Sequence, residues 1–278
     1  MAALHRPRSR SSAPRAPGAR WRSITLEQVT RRIRFSRHLA VAPTAPDHAG
    51  GIEYRSLAPG EDLPQGIRLL PPCSPSKIVC VGRNYADHAK ELGNEIPTEP
   101  LIFLKPPSSL IAHGDSIVYP ALSQRVDYEG EIAVIIGKRG RNIAREQAFD
   151  FVAGYTCLND VTARDLQKKD GQWTRGKGFD TFCAAGPWMV PAAEIDFSKL
   201  RVQTLLNGEK KQDGHTGQLI FGLDVILAYV SRFLTLEPGD LIATGTPEGV
   251  GPMKPGDTVS VQVEGIGALT NPVITEAS

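Results

Sequence analysis

The stretch Val126-Asp127-Tyr128-Glu129-Gly130-Glu131-Ile132-Ala133-Val134-Ile135-Ile136 decides how the rest of the chain is read. Its second half is apolar, rich in β-branched residues and free of proline, the composition of a buried strand. Side chains alternate faces along a strand, so Asp127, Glu129 and Glu131 are expected on one face. Like charges stacked there are unfavourable unless water or a bound cation offsets them. The strand runs into the apolar block Ala133 to Ile136, which favours a cation over bulk solvent. A further acid, Asp160, closes the next apolar run, Phe151 to Leu158. Oxygen donors select hard ions such as Mg²⁺, Mn²⁺ or Ca²⁺ rather than zinc. From spacing alone, a metal site and a solvated strand edge both stay open.

Working outward, 278 residues suffice for one large domain or two small ones, and 41% hydrophobic content supports a real core. No apolar run reaches the length of a membrane span. The net charge of +2 is unevenly spread: residues 1–37 hold ten Arg against one acid, Glu27, and carry +9, which leaves −7 on the remainder. An acidic body offers no nucleic-acid footprint, so the expected partners are a small molecule and a metal, with neither nucleic acid nor membrane. Residues 1–22, rich in Arg, Ser, Pro and Ala, read as a disordered basic extension. They lack the apolar core of a secretory signal but share the bias of a transit peptide. A cytoplasmic location is expected, with a mitochondrial one as the alternative. Cys73, Cys80, Cys157 and Cys183 form no C-x-x-C pair and read as free thiols.

Residues 23–71 read as a small leading β region, with strands near 52–57 and 67–70. The stiff Pro71-Pro72-Cys73-Ser74-Pro75 segment marks a boundary, and residues 72–278 form the main body. Lys77 to Gly82 reads as a buried strand. Tyr85 to Leu92 reads as a short helix stopped at Gly93, on which His88 and Glu91 share a face. A carboxylate beside an imidazole suits general-base work on water, although a surface histidine with a chance neighbour fits the spacing too. Thr162 to Gln167 reads as helical, placing Arg164 and Gln167 together as a pair for a substrate carboxylate or as plain helix surface. Gly171 to Gly178 reads as a loop carrying Lys177 between glycines; it lacks the phosphate-loop pattern. Leu223 to Leu234 has helical period, Asn207-Gly208 marks a hairpin, and His113 and His215 read as turn residues, His113 without an obvious partner. The sum is an α+β body, mostly β, without βαβ repetition.

Five motifs then occur in order: Gly82-Arg83-Asn84-Tyr85-Ala86-Asp87-His88, Tyr128-Glu129-Gly130-Glu131, Asn159-Asp160-Val161-Thr162-Ala163-Arg164-Asp165-Leu166-Gln167, Gly176-Lys177-Gly178-Phe179-Asp180 and Thr244-Gly245-Thr246-Pro247-Glu248-Gly249-Val250-Gly251. Together they resemble the fumarylacetoacetate hydrolase family in its short, single-chain branch, over about residues 72–274. The resemblance implies a mixed β-roll or β-sandwich fold that is usually dimeric and binds Mg²⁺ or Mn²⁺. It implies Glu129, Glu131 and Asp160 as metal ligands and His88, Glu91 and Lys177 as catalytic residues. It also implies Arg164, Gln167 and Thr246 as substrate contacts, Tyr85 to Pro97 as a lid, and Asp127 as a residue behind the ligands. The implied activity is metal-dependent hydrolysis of a carbon–carbon bond in a 1,3-diketo or acylpyruvate-type acid by water activated at His88 and Glu91. Isomerisation or tautomerisation of a hydroxymuconate-type diene acid, and decarboxylation of a 2-oxo acid such as oxaloacetate, are the alternatives. A structural metal-binding β protein would fit only if one of these chemical groups were missing.

Overall fold

In the computed structural model the described residues are 29–37, 52–91, 93 and 95–277. The expected disordered extension, residues 1–22, lies outside them. The fold is mostly β and is built on a ten-stranded mixed sheet. Along its main path lie Glu53–Leu57, Arg31–Arg37, Cys183–Pro191, Val152–Asp160, Gly130–Ile136, Leu241–Ala243, Ile78–Gly82 and Leu101–Lys105. Leu241–Ala243 runs parallel to Ile78–Gly82, whereas its other neighbour, Gly130–Ile136, is antiparallel. A five-stranded sheet comprises Glu209–His215, Arg201–Leu206, Thr258–Val263, Gly267–Thr275 and Ile117–Tyr119.

The period-two pattern read from Gly130–Ile136 governs the packing. Ile132, Val134 and Ile136 face one apolar cluster, shared with Val202, Val261 and Leu269 of the five-stranded sheet and with the helix Leu223–Val230. Ala133 and Ile135 face the opposite side and pack with Ile78, Cys80, Leu158 and Cys183. Both faces of this strand are therefore buried, which explains why its apolar run is continuous rather than alternating.

Several local expectations change. The leading region contains a third strand, Arg31–Arg37, which joins the main sheet through Arg32 opposite Met189. The helix expected to Leu234 ends at Val230, because the Ser231 hydroxyl donates to the Ala228 carbonyl and accepts the Ile143 N–H, bonds that compete with helix continuation. The helix expected from Thr162 starts at Arg164, since Thr162–Ala163 pair as a short strand with Val126–Tyr128. Asn207 and Gly208 adopt φ of 53° and 81°, the left-handed pair that a tight hairpin needs. His113 has a partner after all, accepting the Thr270 N–H at 3.1 Å. His215 is structural, its ring accepting the Gly217 N–H at 2.9 Å.

Candidate active site

The acids are brought together by strand register. Leu158 sits opposite Glu131 across the antiparallel ladder, so Asp160, two residues on, shares Glu131's face as its diagonal neighbour. That face is the one carrying Ala133, Ile135 and Leu158. Glu129 reaches the same point differently. The strand expected from Val126 to Ile136 is broken there: Val126–Tyr128 belongs to a separate three-stranded sheet, and Glu129 bridges the two pieces. Its N–H donates to Asn159 Oδ1 at 3.0 Å and its carbonyl accepts the Asp160 N–H at 2.9 Å. The break accompanies a close approach at Gly130, where a Cβ would fall 1.9 Å from Thr204 Oγ1. Asp127 therefore does not stack with Glu129 and Glu131. It lies behind them, held at 2.9 Å by Arg125 and at 2.9 Å by Arg164.

Glu129, Glu131 and Asp160 are all buried and present ligand oxygens within 4.8 Å of one another. Their compensation is unequal. Lys177 reaches Glu129 at 2.8 Å and Asp160 at 2.6 Å, and Arg164 reaches Glu129 at 2.5 Å. Although burial opposes it, Lys177 and Arg164 hold the Glu129 carboxyl well below the usual range. Glu131 accepts one bond, from the Gly245 N–H at 2.7 Å, and has no cationic side chain on it among the described residues. Burial, then Asp160 and Glu129, push its carboxyl well above the usual range. A buried all-oxygen cluster with one uncompensated carboxylate is the donor set a hard divalent cation fits.

One cation escaped the sequence reading. Lys105, fully buried at the end of Leu101–Lys105, donates to Asp160 Oδ1 at 2.6 Å and to the Val161 carbonyl at 3.0 Å. Asp160 thus carries two ammonium groups, one on each oxygen. The only signal was a lysine ending an apolar strand, Leu101-Ile102-Phe103-Leu104-Lys105, and nothing local tied it to an acid 55 residues away.

His88, Glu91, Lys177, Arg164, Gln167 and Thr246 line, together with the three carboxylates, one cavity of about 460 Å³. His88 is buried in the helix Ala86–Glu91, and its Nδ1 lies 3.3 Å from Glu91 Oε2. Glu91 also accepts the Gly249 N–H at 3.1 Å. The helix hangs from Asn84, whose amide donates to the Phe221 carbonyl at 3.1 Å and the Thr244 carbonyl at 2.8 Å, and whose Oδ1 accepts the Phe221 N–H at 2.8 Å. Within the expected lid, residues 92 and 94 lie outside the described residues. Lys177 ends a short helix, Thr174–Lys177, rather than sitting in a glycine loop; its N–H bonds the Trp173 carbonyl. Arg164 is committed within the protein, to Asp127, Glu129 and Gln167 Oε1. The Gln167 amide N–H groups have no partner among the described residues and line the cavity. The Thr246 hydroxyl donates to the Gly130 carbonyl at 2.9 Å and accepts from Gln212 at 2.8 Å, tying the glycine turn to the acid-bearing strand. All four cysteines are free and buried, and burial pushes the Cys183 thiol up to about 12, which excludes a resting thiolate there.

Residues 77–274 match the family model for the fumarylacetoacetate (FAA) hydrolase C-terminal domain. The chain belongs to this family. Over 216 residues it is 45% identical to the mitochondrial oxaloacetate tautomerase fahd2 of Xenopus laevis, covering 74% of this chain and 68% of that protein. The crystal structure of 5-carboxymethyl-2-hydroxymuconate delta-isomerase from Mycobacterium smegmatis superposes with a TM-score of 0.75 at 42% identity, covering 89% of this chain and all of that one. Fumarylpyruvate hydrolase from Pseudomonas aeruginosa, solved with Mn²⁺ and pyruvate, gives a TM-score of 0.69 at 36% identity, covering 75% of this chain and 92% of that one. As a member of the FAA hydrolase family the protein is an enzyme with a small-molecule substrate. Among its described residues no helix is long and apolar enough to cross a membrane.

Proposed function

We propose that the protein is a divalent-metal-dependent enzyme that moves a proton on an enolisable 2-oxo acid, with keto–enol tautomerisation of an oxaloacetate-type acid as its leading reaction. The observation that carries this is that the His88–Glu91 pair and three buried carboxylates line the same cavity. Glu129, Glu131 and Asp160 would hold the cation. When bound, it supplies Lewis acidity toward a chelated 2-oxo acid.

The remaining work falls to the chain's own side chains. With His88 Nδ1–H donated to Glu91, Nε2 is left as the proton-accepting atom. Toward the enol it takes the proton from the carbon beside the keto group while the oxygen takes one up from solvent water; toward the keto form the enol oxygen gives its proton to solvent and the imidazolium delivers its proton to that carbon. The Lys177 ammonium, buried between Glu129 and Asp160, is placed to stabilise negative charge as it develops on the substrate. The Gln167 amide is free to donate to a substrate oxygen. The 45% identity to an oxaloacetate tautomerase supports this order of reactions. Carbon–carbon hydrolysis, which the sequence alone puts first, is the second reading. It uses the same His88–Glu91 pair on a water molecule and is favoured by the likeness to fumarylpyruvate hydrolase.

The test is an ultraviolet assay of metal-stripped protein with Mg²⁺ or Mn²⁺ added back, run on enolic oxaloacetate and on acylpyruvates with product identification. Metal-dependent decay of the oxaloacetate enol band without pyruvate release is the expected result. Metal-dependent pyruvate release from an acylpyruvate selects hydrolysis instead. Turnover that ignores the metal and survives His88→Ala refutes both.

A further inference from the structure

Four cationic side chains line the cavity: Arg83, Arg164, Lys168 and Lys177. Two of them are spent on the protein's own acids. Lys177 holds Glu129 and Asp160, and Arg164 holds Asp127 and Glu129. The other two, Arg83 and Lys168, pair with no carboxylate among the described residues. Of the other acids lining the cavity, Glu91 is engaged by His88 and by the Gly249 N–H, and Glu131, at the floor, by the Gly245 N–H. Burial orders the groups by depth. Glu129, Glu131, Asp160 and Lys177 are buried, Arg83 is half-buried, and Lys168 and Glu91 are exposed. The uncommitted cations therefore sit at the mouth, and the committed ones at the floor.

Both are placed by local structure. Arg164, Gln167 and Lys168 stand at i, i+3 and i+4 of the helix Arg164–Asp170, so one helix face descends from Lys168 at the mouth to Arg164 at the floor. Arg83 comes from the other wall, at the end of the strand Ile78–Gly82. Its backbone has φ of 55°, a left-handed conformation that costs a non-glycine residue free energy. The buried Asn84 beside it, with three hydrogen bonds, holds it there. The guanidinium lies over the Trp173 ring at 5.8 Å, and Trp173 packs so tightly on the strand that a Cβ at Gly82 would approach it to 2.8 Å. An aromatic wall thus orients Arg83 while leaving its N–H groups for an anion.

We infer that Arg83 and Lys168 bind the distal carboxylate of the substrate, so that the protein selects 2-oxo diacids over 2-oxo monoacids. This rests on the reading of the site as one for 2-oxo acids. A carboxylate held between a guanidinium fork and an ammonium gains charge-assisted hydrogen bonds that a monoacid cannot make.

The experiment is calorimetric titration of the full-length, Mn²⁺-loaded protein with oxamate and with N-oxalylglycine. The two share an oxalyl head, are not turned over by proton transfer at carbon, and differ by the distal carboxymethyl group. The wild type is expected to bind N-oxalylglycine at least about tenfold more tightly than oxamate. The Arg83→Gln/Lys168→Gln double variant should bring the two within about twofold of each other while oxamate binding is unchanged, which also reports an intact floor. Should Arg83→Gln disturb the turn before Asn84, Lys168→Gln alone, at an exposed helix position, is expected to narrow the gap. A gap that persists in the double variant, or is absent in the wild type, overturns the assignment and leaves the 2-oxo acid reading standing. Failure of both compounds to bind the wild type overturns that reading and the assignment with it.

Discussion

Lys105→Met tests whether the floor of the site is an electrostatic balance. The lysine is fully buried, and its ammonium makes a 2.6 Å bond to Asp160 Oδ1 and a 3.0 Å bond to the Val161 carbonyl. Removing one partner of a buried ion pair costs roughly 3–5 kcal/mol, because the other charge stays buried and unmatched. Asp160 keeps Lys177 on its second oxygen at 2.6 Å, so the lower figure, about 3 kcal/mol, applies. For a domain of this size that is a fall in Tm of roughly 6–12 °C in the metal-free protein. The same substitution removes positive charge next to the proposed cation site, so Mn²⁺ should bind the variant more tightly. A ligand at a hundred times its Kd contributes about 2.7 kcal/mol to the folded state; at one fixed Mn²⁺ concentration the upward shift in Tm should be larger in the variant than in the wild type. Scanning calorimetry with and without Mn²⁺ measures both. A metal-free Tm within about 2 °C of wild type, or a smaller Mn²⁺ shift in the variant, would refute the reasoning.

His88→Ala should lower kcat by roughly 10²–10⁴-fold while leaving Mn²⁺ affinity intact, measured by steady-state kinetics beside metal titration; loss of metal binding instead would relocate the histidine's role. Asn84→Ala strips three hydrogen bonds, one buried and two part-buried, from the segment that carries His88 and should destabilise the protein by about 2–3 kcal/mol, read from urea unfolding. Glu131 gives a pH signature. Its carboxyl is raised in the folded protein by burial and by Asp160 and Glu129, so the stability it contributes is full below the unfolded carboxylate range and is lost as pH rises through the raised value. Metal-free protein should therefore lose stability as the pH rises above that range, and Mn²⁺ binding should release a proton and strengthen over the same window. Titrations in two buffers of different ionisation enthalpy count that proton, and Glu131→Gln should abolish it.

The acid cluster was legible because carboxylates entering a continuous apolar run are costly, and that cost is visible in the linear sequence. His88 with Glu91 and Arg164 with Gln167 were legible because helical spacing is local. Asp127 was misplaced on the acids' face because the strand breaks at Glu129, and the break accompanies the approach of Thr204 to Gly130 from a different sheet, which local sequence does not encode. Lys105 was missed for the same reason: its partner lies across the main sheet. The strand Arg31–Arg37 does alternate, with Ile33 and Phe35 buried, but its four arginines obscured the pattern.

The two halves of the site are mounted differently. Glu131 and Asp160 stand on neighbouring strands of the main sheet and Glu129 joins one of these to a second sheet, so their spacing is a property of the whole scaffold. The imidazole is carried on a six-residue helix tied to neighbouring loops, by Asn84 before its start and by Glu91 at its end. In the proposed reaction, chelation and proton transfer would therefore be mechanically separable. Substitutions in the helix segment would redirect the proposed proton transfer without altering the carboxylate cluster, whereas any drift in the sheet would alter both. A scaffold divided in this way would let the reaction change by substitution in one short segment while the carboxylate cluster keeps its geometry.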